Sequence, residues 1–152
     1  MFGKSLAEYV RLQSWILVAI VAVWAARFGL SLAGSPAARW ASVTWVLLIG
    51  SVYYGIVGPA RGFGRFKQLY PPNLIQGVLS GILVAVAIAV AIFTGQDNIY
   101  TVPEFSGGQD GKNWFHAFAH VVLAGAIVVP LLGWLVSSIA MFVTRRVSPA
   151  RG

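Results

Sequence analysis

Four long apolar runs, at 15–33, 40–58, 74–94 and 114–143, are separated by short polar segments. A helix takes about 20 residues to cross a hydrocarbon layer, so each run is long enough to span one. The pattern predicts helices over approximately 12–33, 40–58, 73–94 and 113–143. Turn residues punctuate it: Gly34-Ser35-Pro36 after the first run, Gly58-Pro59 after the second, Pro71-Pro72 before the third and Gly95 after it. Proline ends a helix because it lacks the N–H that the ladder needs. Asn73 is expected to cap the third helix, and Pro130 predicts a kink in the fourth. Residues 1–11, with Phe2, Leu6, Tyr9 and Val10, suggest an interfacial helix ahead of the first span.

Composition supports the bilayer as solvent. At 58% hydrophobic and 10% charged residues, the chain has too little polar surface to cover a water-soluble globule. Helices satisfy their backbone groups internally and so survive in lipid. The expected fold is all-α: an integral membrane four-helix bundle forming a single domain over 1–152. The first run has flanks that partly resemble a signal peptide, but its length predicts a retained helix. In the third helix, Gly77, Ser80 and Gly81 form a small-residue stripe suited to close helix packing. Trp15, Trp40, Tyr53, Tyr54, Tyr70, Tyr100 and Trp114 read as an interfacial belt.

The net charge of +7 is distributed unevenly. If the spans alternate, Lys4, Arg11, Arg61, Arg65, Lys67, Arg145, Arg146 and Arg151 fall on one side. The other side carries Arg39, Lys112 and Arg27, with the acids Asp97, Glu104 and Asp110. The positive-inside rule then places both termini in the cytoplasm and the 95–113 loop outside. A bacterial inner membrane fits this asymmetry. Cations gathered at helix ends, not on one soluble face, argue against nucleic-acid binding. The absence of cysteine excludes disulfides, thiolate chemistry and iron–sulfur clusters.

Candidate chemistry lies at the acidic side. His116 and His120 are spaced i, i+4 and share one helix face. Arg27 lies about a turn inside the same boundary, and Glu104 is in the adjoining loop. Ionisable groups within spans are costly and mark function by default. Three readings follow: interfacial side chains with Arg27 snorkelling to headgroups; a metal site of His116, His120 and Glu104, with Asp97 or Asp110 as other completing ligands; or a haem or quinone site of His116, His120 and Arg27. No phosphate loop, serine–histidine arrangement or intramembrane carboxylate pair is apparent, so the chain is not expected to be catalytic by itself.

Several short segments resemble the four-helix cytochrome b subunit of formate dehydrogenases, within the cytochrome b561-like group. Arg11-Leu12-Gln13-Ser14-Trp15 resembles the Arg-x-x-His-Trp opening of that family's first helix. Arg65, Phe66 and Lys67, leading through Gln76 to Phe93-Thr94-Gly95, resemble its third helix. Trp114, His116 and His120 resemble the His-bearing start of its fourth. The resemblance implies four spans with cytoplasmic termini, b haems held between helices, and service in electron transport. Departures accompany it. Gln13 and Ser14 stand where the first helix would supply a haem ligand, the second run has no histidine, and Pro130 or Trp134 stands near the inner ligand position. An intrachain bis-histidine haem pair is therefore not expected. A haem b held by one histidine, or shared with another subunit, and a quinone remain.

The sequence thus predicts a small membrane subunit or anchor of a larger complex, of respiratory or redox kind, with a quinone, lipid or haem contact near the outer leaflet. Its partners are the lipid bilayer and other membrane subunits or further copies. The alternatives are a transporter or channel subunit that oligomerises through helix three, and an outer-face metal-binding protein.

Overall fold

The computed structural model describes residues 1–108 and 110–147. Four helical segments are long and apolar enough to cross a membrane: Leu6–Leu32, Pro36–Val57, Phe66–Thr94 and Trp114–Val147. Among the described residues there is no strand.

Helix α1 spans Leu6–Leu32. The interfacial helix expected over 1–11 is instead its first turns, because Ser5 and Glu8 form a capping box. The Glu8 N–H donates to Ser5 Oγ at 3.2 Å, and the Ser5 N–H donates to Glu8 Oε2 at 2.8 Å. These bonds satisfy amides that a helix start otherwise leaves open. A 3₁₀ turn over Pro36–Arg39 precedes α2, which spans Val43–Val57 and so begins later than the hydropathy suggests. Trp40, left in the connection, is 87% exposed. Helix α3 runs Tyr70–Thr94 with its prolines in the first turn. Asn73 therefore lies inside α3 and does not cap it. The last span is composite: α4 (Trp114–Ala119), a π-helix (His120–Val128) and α5 (Val129–Val147).

The irregularity expected at Pro130 takes the form of this π-helix on its N-terminal side. The Val129 N–H reaches back five residues to the Ala124 carbonyl. In that register the donor for the Gly125 carbonyl would be Pro130, which has no N–H. The freed carbonyl faces α3, where a Cβ on Gly77 would sit 2.5 Å from it. One turn along, a Cβ on Gly81 would sit 2.5 Å from the His120 carbonyl oxygen. Only glycine permits this backbone-to-backbone approach, and no hydrophobic drive is needed to hold it in lipid. Gly77 and Gly81 are thus covered by the chain's own last span, which leaves them no free surface for oligomerisation.

The spans meet at two ends. Lys4, Arg61, Arg65, Lys67, Arg145 and Arg146 mark the basic end, and the 95–113 segment marks the loop end. Arg151 lies outside the described residues. Near the basic end, Tyr9, Leu12, Ile16, Tyr54, Leu69 and Met141 pack together, and near the loop end Ala38, Val84, Ala87, Ile88 and Ile99 do. Val18, Trp45, Ile49, Leu132 and Ile139 are exposed on the flanks, where a hydrocarbon solvent accepts them.

A buried polar network ties the four spans together. Tyr54 Oη lies 2.9 Å from Gln13 Oε1 and 3.0 Å from Gln76 Oε1. Gln76 Nε2 donates to Ser51 Oγ and to Asn73 Oδ1, at 3.1 and 3.0 Å. Asn73 Nδ2 donates to Ser137 Oγ at 2.9 Å. A hydroxyl carries one proton, so Tyr54 cannot donate to both amide oxygens. The Gln13 Nε2 group has no partner. Turning the Gln13 amide over satisfies both, with Gln13 donating to Tyr54 and Tyr54 donating to Gln76. Tyr54 is fully buried and so is no member of an interfacial belt.

Candidate functional site

Arg27 lies on α1 near the loop end, and the loop folds back over it. Asn98 drives that return: its side-chain amide donates to the Ala87 carbonyl at 2.8 Å, and its Oδ1 accepts the Tyr100 N–H at 3.0 Å. The Ile99 N–H donates to Ser31 Oγ at 2.7 Å, which fixes the loop to α1. Lys112 Nζ closes it, 2.8 Å from both carboxylate oxygens of Asp97. That contact holds the Asp97 carboxyl below its ordinary range and pushes the Lys112 ammonium above its own. The result places the Tyr100 and Phe105 rings 5.2 and 5.9 Å from the Arg27 guanidinium carbon. Burial raises the Tyr100 phenol, and Arg27 opposes that rise.

The histidines enter from the last span. Asn113 caps α4, its Oδ1 accepting the His116 N–H at 2.8 Å. His116 Nε2 lies 3.3 Å from the Tyr100 carbonyl oxygen, a contact that calls for the proton on Nε2. The His120 ring meets His116 edge-on, with centroids 4.8 Å apart.

Between these elements lies a cavity of about 270 Å³. Arg27, Ser80, Tyr100, Phe105 and His120 form its polar and aromatic wall, and Val43, Leu47, Val84 and Val129 its apolar wall. Gly77 and Gly81 also line it, since they lack side chains to fill it. Two buried polar atoms here have no protein partner, Arg27 Nε and Tyr100 Oη. The chain's four acids do not reach Arg27. Glu8 pairs with Lys4 at the basic end, Asp97 holds Lys112, Asp110 accepts the Lys112 N–H, and Glu104 is exposed.

Of the residues singled out in the sequence, Arg27, His120, Gly77, Ser80 and Gly81 share this cavity. His116 stands behind His120 and holds the loop. Glu104 does not line the cavity, and among the described residues no three of His, Asp or Glu gather as a metal site would require. Tyr100, Phe105 and Thr44 join the site unforeseen. Tyr100 resembled a belt residue, and Phe105 resembled any apolar residue in a polar loop. The return of the loop onto α1 places them, and no local pattern reports that return.

The residues present do not fit a bis-histidine haem. Both imidazoles lie on one helix face and touch each other, so they cannot approach an iron from opposite sides. Ser14, where the resemblance would put a first-helix ligand, is exposed, and its neighbour Gln13 is hydrogen-bonded within the polar network.

Set against known proteins, the chain matches no family model, no curated protein and no solved structure.

Proposed function

We propose that the chain is a small membrane subunit that holds the polar head of a membrane-soluble amphiphile, a quinone or a lipid headgroup, in the loop-end cavity. The observation behind the reading is a pair of buried polar side-chain atoms in the cavity wall that have no protein partner. Arg27 Nε and Tyr100 Oη are these atoms, Arg27 itself being half-buried, and Ser80 and His120 stand beside them. An orphaned buried donor forfeits about 1–3 kcal/mol, which a ligand bearing carbonyl or oxyanion acceptors would recover. The apolar wall suits the part of such a ligand next to its head. Catalysis is not assigned to the chain, and service to a larger complex, of respiratory or redox kind, is the role that follows. The basic end faces the cytoplasm of a bacterial inner membrane in this reading, and the ligand enters from the outer leaflet.

The test is co-purification. Protein isolated in mild detergent is extracted, and its quinones and lipids are measured by mass spectrometry. Thr44 lines the cavity and is exposed toward lipid, so Thr44→Trp obstructs the site without entering the core. A ligand enriched with wild type should fall at least about tenfold in the variant, a loss of about 1.4 kcal/mol. Equal retention by a well-folded Thr44→Trp would overturn the proposal.

A further inference from the structure

A second space adjoins the cavity. Thr44, Leu47 and Val129 line both the cavity and a groove of about 360 Å³ between α2 and α5. Beyond these shared residues the groove is walled chiefly by Leu48, Leu132, Leu135 and Val136. Along α2 it runs from Thr44 to Ser51, and along α5 from Val129 to Val136, about 10 Å on each helix at 1.5 Å per residue. It leads from the cavity toward the basic end, parallel to the spans. A cavity with polar groups on one wall thus shares three lining residues with an apolar groove.

The charge at the cavity is uncompensated. Among the described residues Arg27 meets two aromatic rings and forms no ion pair with a carboxylate. A guanidinium is always charged and matches oxyanions in a planar fork. A neutral quinone would satisfy the hydrogen bonds and leave that charge unanswered.

We infer that cavity and groove form one site for a single-tailed amphiphile with an oxyanion head, carboxylate or phosphate, its head at Arg27 and its tail along α2 and α5. This rests on the cavity reading above and narrows its ligand.

Binding in detergent would be followed by native mass spectrometry with four probes: oleate, 1-oleoyl-lysophosphatidate, the neutral monoolein, and a decyl-benzoquinone. Three share one tail and differ in head. At least one anionic probe should bind about tenfold or more tighter than monoolein and the quinone. Whichever anion binds tighter identifies the head as carboxylate or phosphate. Arg27→Gln should abolish the preference, and Arg27→Lys should keep most of it, which separates lost charge from lost folding. Leu132→Trp blocks the groove at an exposed position and should weaken anion binding. Leu131→Trp, exposed but outside the groove, should not. Equal binding of neutral probes, or an anion preference that survives Arg27→Gln, overturns the oxyanion head. Anion binding untouched by Leu132→Trp overturns the tail groove. In either case sensitivity to Thr44→Trp would leave the cavity reading standing. If no probe binds, or none responds to Thr44→Trp, both fail.

Discussion

The Tyr54 hydroxyl faces amides from two other spans at once, Gln13 on α1 and Gln76 on α3. Phenylalanine would fill the same volume without the hydroxyl. Hydrogen bonds between spans average about 0.6 kcal/mol, but Tyr54→Phe also strands buried amide groups. We expect a loss of about 1–2 kcal/mol, read as a lowered unfolding midpoint in detergent, with Gln76→Leu at least as damaging. Wild-type stability in both variants would mean that the network contributes nothing net. None of this was legible locally. Gln13, Ser51, Asn73, Gln76 and Ser137 look like unrelated polar residues within or beside apolar runs. They meet across separations of up to 64 residues, and only helix packing supplies that proximity. Asn73, at the start of an apolar run after two prolines, carried every mark of a cap. The prolines are tolerated inside the first turn, where their missing N–H groups have no partner to lose, so the helix begins before it.

At the scale of elements, α3 and the π-helix form the closest seam. The small-residue stripe was readable from spacing, because glycines four apart share one face. The π register was not, since the sequence shows only that Pro130 disturbs the ladder. Which carbonyl it frees depends on the turn before it. The seam makes a graded expectation. At Gly81 even a methyl group would press 2.5 Å from the His120 carbonyl oxygen, while a Cβ on Gly29 meets nothing within 4 Å. Gly81→Ala should therefore cost about 1–3 kcal/mol by overpacking, and Gly29→Ala should be neutral or slightly stabilising through helix propensity. Thermal midpoints of the two variants check this directly. A Gly81→Ala protein as stable as Gly29→Ala would mean that the seam opens at little cost. Because Gly77 and Gly81 also line the cavity, loosening the seam should release bound ligand as well.

For the whole molecule, the remaining question is which end faces which compartment. Hydropathy alone located all four spans, because bilayer thickness dictates length. It says nothing of direction, for a bundle is equally stable pointing either way in a symmetric slab. Charge breaks the tie: basic segments resist translocation, and their side is retained in the cytoplasm. Among the described residues the basic end holds six loop or helix-end cations, together with Arg11, against a single acid, Glu8. The loop end holds Arg39 and Lys112 in its connections, with three acids. Short connections make the comparison apt, since the rule is read over short loops. Cysteine is absent from the chain, so single introduced thiols report cleanly. Gln96→Cys places one in the exposed loop, and Ala60→Cys places one between α2 and α3. With an impermeant thiol reagent on intact cells, Gln96→Cys should be labelled and Ala60→Cys should react only after lysis. The reverse pattern would invert the protein and move the cavity's mouth to the cytoplasmic leaflet. The ligand would then have to be drawn from the opposite pool of lipids, even though every contact within the bundle stayed the same.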